Sequence, residues 1–184
     1  IGIALILAQA GMYVPAEYFE YSPYHRLFTR INCDDNMFKG QSSFVVEMSD
    51  LKSILDYSCN RSLIIGDEVC KGTEEVSALS IVGATLHHLV RKNSSFVFAT
   101  HLHKLLSNKI VQDTDKISIK HISIDFDKNN NFLKYSRSLN DGPCDTIYGL
   151  EIANYILKNT EFYRESYKIR NSVLEKPKLL NTKK

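Results

Sequence analysis

Residues 62–73, S-L-I-I-G-D-E-V-C-K-G-T, decide how the chain folds. Leu63, Ile64 and Ile65 form a short unbroken apolar run, the pattern of a strand buried on both faces. Asp67 and Glu68 stand at its carboxyl end, and Gly72 breaks the pattern. A helix follows over about residues 74–90, with Leu79, Val82, Leu86 and Leu89 on one apolar face. Open parallel sheets carry their chemistry at the carboxyl ends of strands. There one carboxylate can hold a hard cation such as Mg2+ while its neighbour polarises a water. The same two residues could equally open a surface loop, so the neighbouring segments decide.

Residues 95–100, S-F-V-F-A-T, read as a second short, buried strand, and His101 follows it directly. Two such strands separated by one helix form a β-α-β unit, whose crossover makes them parallel and adjacent. Asp67, Glu68 and His101 then meet on one edge of the sheet, an arrangement suited to hydrolysis or metal binding. His101 and His103 offer two zinc ligands, but no third and fourth appear at a recognisable spacing. His87 and His88 fall on adjacent faces of the intervening helix and read as surface or boundary residues.

Upstream, residues 1–10 read as a buried helix stopped by Gly11. Residues 17–21 alternate weakly, as a strand might. Residues 26–31 are a better strand, with Leu27, Thr29 and Ile31 on one face. A polar loop over 32–41 leads to Ser42 and Ser43, where Phe44, Met48, Leu51 and Leu55 begin to recur at helical spacing through about Tyr57. A serine at a helix start is an N-cap. Alternatively, its hydroxyl and the free helix N–H groups can bind a phosphate. Downstream, residues 117–126 and 132–139 alternate around the turn sequence D-K-N-N-N, which predicts a β-hairpin. A Gly142-Pro143 loop follows, then helices over 147–157 and 161–174.

The 184 residues suffice for one globular domain with a sizeable core, and 43% hydrophobic with 24% charged residues is an ordinary balance. A net charge of +2 makes no case for nucleic acid or membrane. Cys33, Cys59, Cys70 and Cys144 show no C-x-x-C spacing, which fits scattered reduced thiols. Residues 1–14 are apolar, but they lack an initiator Met and a basic leader and are too short to span a bilayer. They read as a helix cut from a longer chain. Residues 168–184 carry six basic residues against one acidic and read as a solvated tail or linker, with a DNA-binding arm as the alternative.

Several pieces together resemble one family, the C-terminal ATPase domain of the MutS DNA mismatch-recognition proteins, relatives of the ABC-transporter ATPases. The likeness covers roughly residues 1–169. It rests on Gly11-x-Tyr13-Val14-Pro15-Ala16, on Phe28-Thr29-Arg30-Ile31 with Asp35, and on Gly40-x-Ser42-Ser43-Phe44 with Glu47-Met48. It rests further on Asp67-Glu68 with Gly72-Thr73, on Ala99-Thr100-His101, and on Asp141-Gly142 with Tyr148-Gly149-Leu150. The flavour around residues 66–74 and 141–143 is most similar to the subgroup of large DNA viruses and octocoral mitochondria, whose members carry a nuclease domain after the ATPase.

The resemblance implies an α/β fold of the P-loop NTPase, ABC-ATPase type: a mostly parallel sheet flanked by helices, with a β-hairpin and a C-terminal helical dimerisation element, truncated at its N-terminus. It divides the chain into a partial ATPase domain, residues 1–157, and a C-terminal helix with basic linker, residues 158–184. The implied cofactors are ATP and Mg2+. Asp67 would bind Mg2+ through water, Glu68 would orient or activate the attacking water, and His101 would contact the γ-phosphate. Ser42, with Ser43, would reach across a dimer to the partner's nucleotide. Such chemistry is mostly positioning and charge neutralisation. The implied partners are mismatched double-stranded DNA, held by domains outside this chain, and a second subunit in a homodimer or MutS-like heterodimer. An intracellular setting is implied (cytoplasm, nucleus, viral factory or organelle), with neither secretion nor a membrane.

The departures also matter. The phosphate loop G-x-x-x-x-G-K-[ST] is nowhere in the chain, so by itself it is expected to bind ATP weakly or not at all. Ser77 stands where the family has an aspartate. Tyr135 or Arg137 could serve as the base-stacking residue of relatives. Competing readings are another ABC-type DNA-repair or chromosome-maintenance ATPase, which would show L-S-G-G-Q, or a non-catalytic dimerisation fragment.

Overall fold

The computed structural model describes residues 1–31, 43–107, 111, 115–127, 132–143 and 149–174. The chain divides into two units, Ile1–Ile117 and Ser118–Lys184. The first runs α1 (Gly2–Gln9), β1 (Arg26–Arg30), α2 (Ser43–Tyr57), β2 (Ser62–Asp67), α3 (Glu75–Arg91), β3 (Ser95–Ala99) and α4 (His103–Ser107). The second runs β4 (Lys120–Asp127), β5 (Phe132–Asp141), α5 (Gly149–Leu157) and α6 (Thr160–Leu174).

The apolar run 63–65 lies in β2, the centre of a three-stranded parallel sheet ordered β1-β2-β3. Ile64 stands in register with Phe28 on one side and Phe96 on the other. It is fully buried and packs with Ile54 of α2 and Leu89 of α3, and Phe28, Phe96 and Phe98 close around them. Burying such a side chain contributes about 1.5–3 kcal/mol. The next residue faces the opposite side of the sheet. There Gly2 of α1 comes so near that a Cβ on it would sit 3.0 Å from Cδ1 of Ile65. The fold is therefore α/β with helices packed on a parallel sheet.

The helices follow the expected spacing with informative shifts. On α3, Val82, Leu86 and Leu89 are buried as their pattern predicts, joined by Ala78, while Leu79 is only half-buried. Thr85, also buried, returns its hydroxyl to the Ile81 carbonyl at 2.8 Å, which satisfies the polar group. Glu74 caps the helix by accepting the Ser77 N–H at 2.7 Å. On α2 the buried positions are Glu47, Leu51 and Ile54, whereas Phe44, Met48 and Leu55 are half-buried. Glu47 sits beneath that face as a charge partner for Arg30 at the end of β1. The two are 6% and 8% exposed and 3.5 Å apart. Removing Arg30 alone would leave the Glu47 carboxylate buried without its counter-charge, which costs about 3–5 kcal/mol, whereas Arg30 also has Asp50 at 3.9 Å.

Three expectations are corrected. The first helix forms but is not buried: in α1 only Leu5 is, while Ile3 and Ile6 are exposed. Residues 17–21 form no strand: they have no ladder partner, and their alternation instead brings the rings of Phe19 and Tyr21 together at 5.4 Å between centroids. The segment after α3 is a strand but not a buried one. β3 is at the edge of the described sheet, and Val97 is 42% exposed.

In the second unit, β4 and β5 pair antiparallel as the alternation predicts, with an irregularity between Ile122 and Ile124. The turn residues 128–131 lie outside the described residues, as do 144–148 and the tail from 175. Gly142 takes φ +87°, open to glycine at no steric cost, and its carbonyl lies 2.9 Å from Nδ1 of His121. Asn159 opens α6, its side chain accepting the Phe162 N–H at 3.0 Å. Glu151 of α5 and Arg170 of α6 pair at 3.3 Å, and that guanidinium lies 4.4 Å from the centroid of the Tyr167 ring. Among the described residues no helix is long and apolar enough to cross a membrane.

Gly66 tests this packing. A Cβ there would meet the Phe98 ring at 2.8 Å and Cγ2 of Val69 at 3.0 Å. Gly66→Ala is expected to lower unfolding stability by about 1–3 kcal/mol, measured by chemical denaturation. An unchanged midpoint would contradict the close approach.

Candidate functional site

The carboxyl ends of β1, β2 and β3 line up, with Arg30 opposite Gly66 and Asp67 opposite Ala99. One further backbone bond extends the ladder, because the Glu68 N–H donates to the Ala99 carbonyl at 2.9 Å. That bond places Glu68 next to the segment that leaves β3 toward His101. After Ala99 the chain turns tightly: Leu102 N–H donates to Oγ1 of Thr100 at 3.1 Å, and His103 N–H to the His101 carbonyl at 2.8 Å. As a result Nδ1 of His101 lies 3.5 Å from Oε1 of Glu68.

The loop after β2 is wound unusually. Lys71 N–H returns to the Glu68 carbonyl at 3.2 Å and Thr73 N–H to that of Cys70 at 3.4 Å. Glu68 and Cys70 take φ of 48° and 67°, left-handed values that cost a non-glycine residue about 1–3 kcal/mol each. Such conformations persist only where the surroundings over-determine them.

Lys71 is the residue that sequence reasoning missed. Its ammonium pairs with Oε2 of Glu68, three positions earlier. This hydrogen bond first, then the charge itself and the neighbouring His101, hold the Glu68 carboxyl below the usual carboxylate range. Glu68 is thus an anion at neutral pH with one oxygen toward Lys71 and the other toward His101. A carboxylate so stabilised is a poor proton acceptor but a good hydrogen-bond acceptor. Cys70, by contrast, is buried, and desolvation with the nearby Glu47 charge pushes its thiol up to about 11, which leaves it inert.

These residues line a cleft of about 200 Å3, with Glu68, Lys71, Thr73, Glu75, Thr100 and His101 around it. A larger hollow, about 720 Å3, lies among Glu20–Tyr24, Asn60, Arg61 and Ser95, at the amino ends of β2 and β3. Parallel sheets present their chemistry at the opposite, carboxyl ends, so the smaller cleft is the candidate. Asp67, half-buried, ends β2 one residue before Glu68. Among the described residues no group of three or more His, Cys, Asp and Glu side chains is arranged to hold a metal ion. One or two carboxylates suit Mg2+, which keeps several waters and takes its remaining ligands from substrate phosphates. Asp67 and Glu68 fit that donor set.

The structure thus brings Glu68 and His101 together, with Asp67 adjacent in sequence. Ser42 lies outside the described residues, as do Cys33, Asp35, Gly40, Cys144 and Tyr148. Ser43 is the first residue of α2.

With this geometry in hand, the comparisons with known proteins are decisive. The family model for MutS domain V matches residues 1–173. The chain belongs to the MutS domain V family. A mutS homolog of Acanthamoeba polyphaga mimivirus is 42% identical over 165 residues, covering 88% of this chain and 15% of that protein. The mitochondrial DNA mismatch repair protein mutS homolog of Sarcophyton glaucum is 41% identical over 177 residues, 96% of this chain and 18% of that protein. The DNA mismatch repair protein MutS of a Prochlorococcus marinus strain is 34% identical over 180 residues, 97% of this chain and 19% of that protein. The viral and octocoral mitochondrial likeness read from the sequence is thereby borne out. The chain spans less than a fifth of the length of these curated relatives.

The Lys71 contact predicts a titration. Because the folded Glu68 carboxyl is held below the ordinary glutamate value, its contribution to stability is present above that ordinary value and is lost as pH falls through the folded one. In Lys71→Met the Glu68 midpoint is expected to move upward toward the ordinary range, read by carbon NMR of the side-chain carboxyl. An unmoved midpoint would show that Lys71 does not set it.

Proposed function

We propose that this chain is the ATP-binding and hydrolysing module of a MutS-like DNA mismatch-recognition protein. It has the P-loop NTPase, ABC-ATPase type of fold, with residues 1–157 as part of the ATPase domain and 158–184 as the C-terminal helix and basic linker. The observation that carries this reading is the convergence of Glu68 and His101, at 3.5 Å, on the carboxyl edge of a parallel sheet beside Asp67.

In this reading Asp67 would hold Mg2+ through water, and the ion would supply neutralisation of charge on the phosphate oxygens. Glu68 accepts a hydrogen bond from the attacking water and aims it at the γ-phosphate. Its depressed pKa favours orienting the water over removing its proton, which suits phosphoryl transfer, where positioning dominates. His101 donates to the γ-phosphate from its place 3.5 Å from Glu68, so it reports whether that phosphate is present. Ser42, with Ser43, reaches a nucleotide on a partner subunit, to which the free N–H groups at the start of α2 also donate. A glycine-rich phosphate cradle, which these 184 residues do not contain, would complete the nucleotide site.

The second unit supports dimerisation. Tyr155, Ile156 and Leu157 of α5 and Phe162, Ile169 and Val173 of α6 are exposed, an apolar surface suited to a second subunit, identical or MutS-like. Mismatched duplex DNA is gripped by other domains of the same polypeptide. The setting is intracellular.

The test is Glu68→Gln in the full-length protein. Steady-state ATP turnover is expected to fall by about 10²–10⁴-fold while ATP binding persists, so that the nucleotide is trapped uncleaved. Unchanged turnover would overturn the role of Glu68.

A further inference from the structure

Glu47 is a buried carboxylate that the proposed chemistry leaves unused. Acidic side chains are almost never sealed from water unless paired. Its pairing is specific: Oε1 accepts the Cys70 N–H at 2.8 Å and lies 3.5 Å from Nη2 of Arg30. One oxygen thereby joins three segments, the end of β1, the helix α2 and the loop after β2. The Cys70 N–H lies beyond the last ladder bond, the one from Glu68 to Ala99. Cys70 and Glu68 are the two left-handed residues of this loop.

We infer that Glu47 is a positioning residue for Glu68: by holding the Cys70 amide it fixes the turn that presents the Glu68 carboxylate to the cleft, and it ties that turn to α2. This rests on the function proposed above, in which Glu68 orients the attacking water. Arg30, 3.5 Å away, aims the Glu47 carboxylate, so its part is indirect. Since α2 begins at Ser43, a displacement of its amino end, as by a phosphate bound there, passes along a rigid helix to Glu47 and on to Glu68. The position of α2 thereby sets whether the carboxylate is in place. A displacement of about 1 Å at a reacting group can cost about 10²-fold in rate, so a single hydrogen bond to this turn is enough to matter.

The experiment compares two variants of the full-length protein that both lack the buried charge pair. Arg30→Met with Glu47→Gln keeps an oxygen that can accept the Cys70 N–H, and Arg30→Met with Glu47→Leu does not. The expected result is a kcat for ATP at least ~10-fold lower in the Leu variant than in the Gln variant, with KM the same in both within about twofold. Equal kcat values, or a difference confined to KM, would overturn the inference, since a merely structural role lowers stability in both alike. Glu68→Gln runs beside them. If it abolishes turnover while the Gln and Leu variants match, only the role of Glu47 falls. If it leaves turnover unchanged, the functional reading falls and this inference with it. Should the Leu variant not fold, hydrogen exchange at the Cys70 amide of the unaltered protein decides. Protection equal to that of the β2 amides supports the contact, and exchange at the rate of an open turn overturns it.

Discussion

The backbone bond from Glu68 N–H to the Ala99 carbonyl, 2.9 Å long, is the constraint on which the site depends. It extends the β2–β3 ladder one residue past Asp67 and pins the start of the next loop to the neighbouring strand. Without it, two acidic residues would begin a loop free to swing into solvent. With it, Glu68 is held beside the turn that carries His101. The bond exists because β2 is buried and central: Ile64, locked between Phe28 and Phe96 and covered by Ile54 and Leu89, leaves the strand no register in which to slip.

Around that bond the charges are arranged so that each oxygen of Glu68 has a partner. Lys71 faces one and His101 the other. These are half-exposed contacts, worth little as stabilisers on the scale of surface ion pairs. What they fix is direction and ionisation. An anionic carboxylate with a lysine on one side and an imidazole on the other is suited to holding a water against a phosphate, which is the role proposed for it above. Backbone strain at Glu68 and Cys70 sits at the same place, as is common where geometry serves chemistry.

Much of this was legible in the sequence because it depends on patterns of period two and 3.6. The run 63–65 announced β2, the spacing of Val82, Leu86 and Leu89 announced α3, and position alone put His101 at the end of β3. Features that depend on tertiary pairing were not legible. Residues 17–21 alternate as a strand does, yet among the described residues no strand pairs with them. Phe96 and Phe98 gave their strand a buried look, while Val97 alternates with them onto the other face of the sheet and is 42% exposed. Glu47 reads as one charge among others on a helix, and no local signal foretells that Arg30, 17 positions earlier, and the Cys70 amide, 23 later, converge on it. The left-handed turn at Glu68 and Cys70 is likewise unannounced, since neither is glycine.

A crystal structure of the full-length protein with Mg2+ and a non-hydrolysable ATP analogue tests the central claim most directly. The account predicts the terminal phosphate in the cleft between Glu68 and His101, with His101 within hydrogen-bonding reach, about 2.6–3.2 Å, and Glu68 at that distance from a water in line with the phosphate. Asp67 would face the ion through a water. A nucleotide lodged instead in the hollow formed by Glu20–Tyr24 and Arg61 at the other end of the sheet, with Glu68 and His101 facing bulk solvent, would contradict it.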